Sequence, residues 1–169
     1  SKGYSQYVAL NKKNKIFLDK SLENFLNLDV IFELFPNSKI IHCFRNTTDA
    51  ILSIYSSMLF QLSWTHDISD ILNYIKNYRD VIHYFKRKYK DKILDVSLEE
   101  LTEKKEEIIK TILNFCELKW SSDVLEYYNR KDLKVRTLSN TQVRKKISSY
   151  DQDKYKPYRN LLINFKKQY

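Results

Sequence analysis

Glycine is almost absent from this chain. One glycine, Gly3, and two prolines, Pro36 and Pro157, punctuate its 169 residues. Loops that cradle phosphates with backbone amides draw on several glycines, because the chain must approach the ligand closely and visit positive φ. Neither a P-loop nor a dinucleotide-type loop can be written with these residues. An all-β fold is disfavoured as well, since its many tight turns rely on Gly and Pro. Apolar periodicity therefore carries the reading of the elements.

Residues 4–10 read as the end of a helix, and the apolar run 16–19 (IFLD) as a short strand. A helix is expected over 22–35, with Leu22, Phe25, Leu28, Ile31, Phe32 and Phe35 on one face; Pro36 and Asn37 stop it. The run 39–44 (KIIHCF) suits a parallel strand buried on both faces. Thr47 or Thr48 can cap a helix running to about Phe60. Asp67 is a good cap for a long amphipathic helix over 68–89. Residues 93–97 (ILDVS) predict a third strand, and 103–117 a helix marked by Ile108, Ile109, Ile112, Leu113 and Cys116. A shorter helix starts near Ser121 or Ser122, and 131–150 are polar, basic and aperiodic. Tyr155, Tyr158, Leu161, Leu162 and Phe165 give a C-terminal helix. Strands alternating with helices predict an α/β fold with a parallel sheet. Three strands are few for such a sheet, and the chain does not begin with Met, so a fragment is expected.

The mass of 20.5 kDa suits one domain with its own core. Apolar residues at 43% and aromatics at 14% argue against disorder. No run of 18 apolar residues predicts a membrane span, and no leader peptide is visible, so a cytoplasmic location is expected. Cys43 and Cys116 are too few for a disulfide framework or a zinc cluster, and a reducing compartment is expected. The net charge of +9 favours anionic partners. Lysine supplies most of it, in a chain also rich in Asn, Ile and Tyr, so compositional bias explains it equally well. The few arginines are more informative.

One of them stands out, in the segment 36–57, PNSKIIHCFRNTTDAILSIYSS. A buried-type strand ends in Arg45, a capped helix starts within three residues, and Ser53 lies inside that helix. Open α/β sheets bind ligands at the carboxyl ends of their strands. Helix N-termini attract anions, and an arginine fork suits phosphate oxygens. Equally, Arg45 could close the strand end by pairing with Asp49.

Residues 17–57 resemble the sulfotransferase family, in its bacterial and tyrosylprotein-type branch. There, a strand ending in Arg and a Ser eight residues on hold the 3′-phosphate of the donor PAPS (3′-phosphoadenosine 5′-phosphosulfate); Arg45 and Ser53 match. Thr47 stands where many members have Pro or Gly. ILDVSLEEL, 93–101, resembles a strand ending in a Tyr-Glu-Asp-Leu-type motif, with Leu98 in place of the tyrosine. VRTLSNTQVRKKI, 135–147, resembles the loop that closes over the nucleotide, matching at Ser139, Gln142, Val143 and Arg144. Lys154 matches a basic residue near the 3′-phosphate, and Tyr155 replaces an aromatic that is usually Trp. Lys20, in LDKS, matches a lysine near the transferring sulfuryl group, and Ser139 a serine that steadies the leaving phosphate. The resemblance covers roughly residues 17–165. It implies a three-layer P-loop-like α/β fold, incomplete at the N-terminus, and sulfuryl transfer from PAPS to a hydroxyl or amine. The family's 5′-phosphosulfate loop and its catalytic Glu or His precede these motifs and have no match here. Residues 1–169 then read as the C-terminal portion of one domain, inactive without its N-terminal part.

Two other classes stay open. A nucleotide or nucleoside kinase relative would need a Walker lysine and magnesium carboxylates, which are not evident. A basic nucleic-acid or protein-binding module would use surface arginines and stacking aromatics, whereas most aromatics here fall on apolar helix faces. No nucleic acid is therefore expected as a partner. Lys86, Arg87, Lys88 and Lys90 read as a solvated helix face. His42 reads as a satisfied buried histidine and Cys43 as a buried core thiol. His66 and His83 lack partners at metal spacing, so no metal is proposed.

Overall fold

The computed structural model describes residues 16–129, 144–151 and 153–163. The chain divides into two compact units after Pro36.

In the first unit residues 16–21 have no regular structure. The strand expected at 16–19 does not form, because a strand persists only where a neighbour takes its ladder hydrogen bonds, and among the described residues none does. The helix expected over 22–35 is present in two parts. A 3₁₀ turn, Asn24–Asn27, leads into α1, Leu28–Leu34, whose buried Leu28 and Phe32 lie one turn apart on one face.

The second unit holds β1, Ile40–Phe44, and β2, Ile93–Ser97. They pair in parallel, with Ile40 opposite Ile93 and Phe44 opposite Ser97. Among the described residues these two are the whole sheet, rather than the three strands expected. A parallel pair requires a crossover, and here it is helical. It consists of α2, Thr47–Ser57, a 3₁₀ turn, Ser63–His66, and α3, Ile68–Lys88. The molecule is therefore of the α/β class.

Local chemistry sets the helix ends. Asn46, not Thr47 or Thr48, caps α2: its side chain accepts from the Asp49 N–H at 3.2 Å, while Thr47 is already helical. α2 ends at Ser57 rather than near Phe60. Met58 adopts the left-handed conformation (φ 43°) that terminates helices, a role usually given to glycine. Asp67 caps α3 by accepting from the N–H groups of Ser69 and Asp70 at 2.8 and 3.2 Å. After β2 a short helix not anticipated from periodicity, α4, Leu98–Glu103, is capped by Ser97. Lys104 breaks it from α5, Lys105–Phe115. Residues Ser122–Asn129 form 3₁₀ turns with an interruption at Glu126. The C-terminal segment is 3₁₀ over Lys156–Leu162, not an α-helix; Pro157 lies in its first turn.

The core lies where α2, α3 and this last turn meet. Ile51, Leu52, Ile71 and Leu162 are buried together, flanked by Ile54, Trp64, Ile68, Leu72, Ile75 and Tyr155. Trp64 stacks on Tyr74 with ring centres 4.0 Å apart, fixing the 3₁₀ turn to α3. Cys43 is exposed rather than buried, and Phe44 beside it is 43% exposed. Among the described residues β1 has one strand neighbour.

Ile71 is fully enclosed in the core. Ile71→Ala should therefore cost about 2–5 kcal/mol in urea unfolding. Phe60, 91% exposed, should tolerate Phe60→Ser within about 0.5 kcal/mol.

Candidate functional site

Parallel register brings the carboxyl ends of β1 and β2 side by side, and the residues just beyond the two strand ends form the site. Arg45 lies immediately after β1 and is half-buried. Its guanidinium donates to the backbone carbonyl of Asp49 at 3.3 Å, not to the Asp49 carboxylate. Ser53 lies one turn beyond Asp49 on the same face of α2. Ser53 stands near enough to the phenol of Tyr155 to favour its ionised form. Tyr155 sits below the usual phenol range because of Ser53 first, and then because of Lys154 and the charge of Arg45. The Lys154 ammonium lies 5.0 Å from the centre of the Tyr155 ring. Arg45, Ser53, Lys154 and Tyr155 thus share one neighbourhood.

Glu99 reaches this place from the first turn of α4. It accepts from the Asn46 N–H at 2.7 Å and from the Ser97 hydroxyl at 2.7 Å. Burial pushes its carboxyl up, but these two donors and the Arg45 charge outweigh it and hold the group below the ordinary range. A cleft of about 710 Å³ opens along α2, lined by Leu52, Tyr55, Ser56 and Met58 and, from the C-terminal segment, by Lys154, Tyr155 and Tyr158. The site can therefore hold an anion between fixed cations and hydroxyl donors, next to an apolar wall.

Arg144 is exposed at the start of segment 144–151. Lys20 is exposed on the irregular stretch of the first unit. Ser139, Gln142 and Val143 lie outside the described residues. Sequence reading did not single out Tyr150 and Arg159, which both bond the Asp49 carboxylate. No periodic signal marks a pair so distant in the chain. Glu99 was legible only as part of its motif.

A second polar network crosses the sheet. His42 faces Asp95 in the register, Nδ1 to Oδ1 at 2.7 Å, and Asp95 accepts from Lys86 on α3 at 2.6 Å. The other ring nitrogen of His42 meets the Tyr78 hydroxyl. His42 is thus satisfied and structural. Burial lowers its pKa from the ordinary 6.5 despite the opposing Asp95, and burial pushes Tyr78 up to about 12. Among the described residues no group of three His, Cys, Asp or Glu converges to hold a metal.

The folded state favours neutral His42, so below 6.5 the unfolded chain binds the proton more readily. That contribution to stability is fully present above 6.5 and is lost as pH falls from there through the lower folded-state value. NMR titration should place His42 below 6.5. Because the Asp95 hydrogen bond and charge raise its pKa, Asp95→Asn should lower it further; a rise would contradict the geometry.

A model of the sulfotransferase family matches residues 1–122. A protein of Aquifex aeolicus (strain VF5), described as an uncharacterized protein, is 32% identical over 157 residues. The alignment covers 90% of this chain and 20% of that relative, so the chain spans about a fifth of its length. The family match runs through β1, α2, α3, β2 and α4, the stretch that carries Arg45, Ser53 and Glu99, and on that footing the chain belongs to the sulfotransferase family.

Proposed function

We propose that the chain contributes the 3′-phosphate half of a donor site in a PAPS-dependent sulfotransferase acting on a hydroxyl or amine. The observation that supports this most is Arg45 just past the carboxyl end of β1, bonded to α2 at 3.3 Å, with Lys154 5.0 Å from the ring centre of a Tyr155 that packs against the core beside Ser53. A phosphate dianion needs a planar fork, a point charge and neutral donors, and Arg45, Lys154 and the hydroxyls of Ser53 and Tyr155 supply them. The nearby carboxylates do not oppose it strongly. Glu99 is engaged by the Asn46 N–H, and Asp49 by Tyr150 and Arg159.

In this reading the acceptor oxygen or nitrogen attacks sulfur in line. A new bond to sulfur forms as the bond to the bridging oxygen breaks, and adenosine 3′,5′-bisphosphate leaves with the electron pair. Lys20 and Ser139 are assigned the charge that develops on the leaving phosphate and the equatorial oxygens. Gln142, Val143 and Arg144 are assigned to the nucleotide through the resemblance of 135–147, which lies beyond the family match. The amides that grip the 5′-phosphosulfate, and the base that takes the acceptor proton, have no counterpart among the residues named here. We assign both to a segment other than 16–163.

The contact between Arg45 and a 3′-phosphate gives a specific expectation. In the intact protein Arg45→Ala should weaken adenosine 3′,5′-bisphosphate at least about tenfold by calorimetry. Adenosine 5′-phosphate, which lacks the 3′ group, should bind nearly as before. Equal losses for both ligands would overturn the assignment.

A further inference from the structure

Asp49 is the most deeply buried charged side chain among the described residues, with 1% of its surface exposed. A carboxylate taken out of water is costly unless fully partnered. On its own helix the side chain finds no cation. It is satisfied instead from the far end of the chain. The Tyr150 hydroxyl donates to it at 2.8 Å, and the Arg159 guanidinium at 3.2 and 3.4 Å. The backbone carbonyl of the same residue accepts from Arg45. One residue therefore bonds the C-terminal segment with its side chain and the anion-site arginine with its backbone.

The C-terminal segment has further ties. The Ile147 carbonyl accepts from Lys105 at 2.5 Å, and the Tyr150 N–H donates to the buried Thr102 hydroxyl at 3.1 Å. Tyr155, between Tyr150 and Arg159, packs against the core cluster that holds Leu52, the chain neighbour of Ser53. Lys154 and Tyr155 are thus held between two anchors that both end on Asp49. If the segment lifts, a buried carboxylate loses its partners at once, which makes docking all-or-none rather than graded.

We propose that Asp49 is a positioning residue. Through Tyr150 and Arg159 it latches the C-terminal segment onto α2, so that Lys154 and Tyr155 join Arg45 and Ser53 in one anion site only when the segment is docked. This deepens the phosphate-site reading above and rests on it. Asp49 touches no ligand in this scheme; it acts through the residues it fixes.

The test uses the intact protein, with Asp49→Asn, Tyr150→Phe and Arg159→Gln, and two readouts. Without ligand, amide hydrogen exchange should rise across 46–53 as well as 144–159 in Tyr150→Phe. With ligand, that variant should lose about fivefold in affinity for adenosine 3′,5′-bisphosphate and little for adenosine 5′-phosphate. Asp49→Asn should lose more. Should it fail to fold, Tyr150→Phe and Arg159→Gln still decide the matter, since each leaves the carboxylate one partner. A rise in exchange with unchanged affinity, or equal losses for both ligands, would reduce Asp49 to an ordinary structural contact and overturn the latch. Arg45→Ala separates the two ideas. If it weakens the bisphosphate while the latch variants do not, the latch alone fails. If it changes nothing, the phosphate reading fails and the positioning role with it.

Discussion

Five residues of β1 lie beside five of β2 in parallel register, and the site depends on that pairing. Parallel strands end at the same edge of the sheet, so the segments that leave the two strand ends meet each other. After β1 come Arg45 and the N-terminus of α2; β2 ends in Ser97, the cap of α4, whose first turn carries Glu99. The 2.7 Å bond between the Asn46 N–H and Glu99 is the direct consequence. The helical crossover then returns α3 across the sheet, where Lys86 and Tyr78 close on Asp95 and His42. The α2–α3 core around Ile71 holds the crossover in place.

The electrostatics of the site are those of balanced burial. Two carboxylates, Asp49 and Glu99, stand close to a cluster of cations without cancelling it. Each is committed elsewhere: Glu99 to a backbone N–H and a serine hydroxyl, Asp49 to Tyr150 and Arg159. The same commitment shifts the phenols in opposite directions. Burial and the Asp49 carboxylate push Tyr150 up to about 12, whereas Ser53, Lys154 and Arg45 draw Tyr155 down. Two tyrosines five residues apart thus report the two sides of one site, a carboxylate side and a cationic side.

Much of the chain was legible from periodicity. The strands at 39–44 and 93–97, the amphipathic stripe of α3 and its Asp67 cap all come from spacing and side-chain chemistry. Arg45 and Ser53 were legible because a strand end and a helix face are local features. Elsewhere local rules pointed the wrong way. Thr47 and Thr48 are good cap residues, yet Asn46 holds the cap because its Oδ1 reaches the third N–H of α2. Phe60 continues an apolar pattern, yet Met58 turns left-handed and ends the helix two residues earlier.

What the sequence by itself determined is the order of elements, the apolar faces of the helices and the Arg45–Ser53 spacing. Each of these depends on neighbours within a turn or two, where backbone geometry is regular. Only the tertiary structure decided which strands exist, since IFLD at 16–19 is as apolar as a strand but has no partner for its ladder among the described residues. The exposure of Cys43 was settled there as well. The partners of Asp49 belong here too: Tyr150 and Arg159 lie 101 and 110 positions away. A buried carboxylate demands partners, but its own helix carries no sign of where they come from. Chain topology delivers them, and with them the shape of the site.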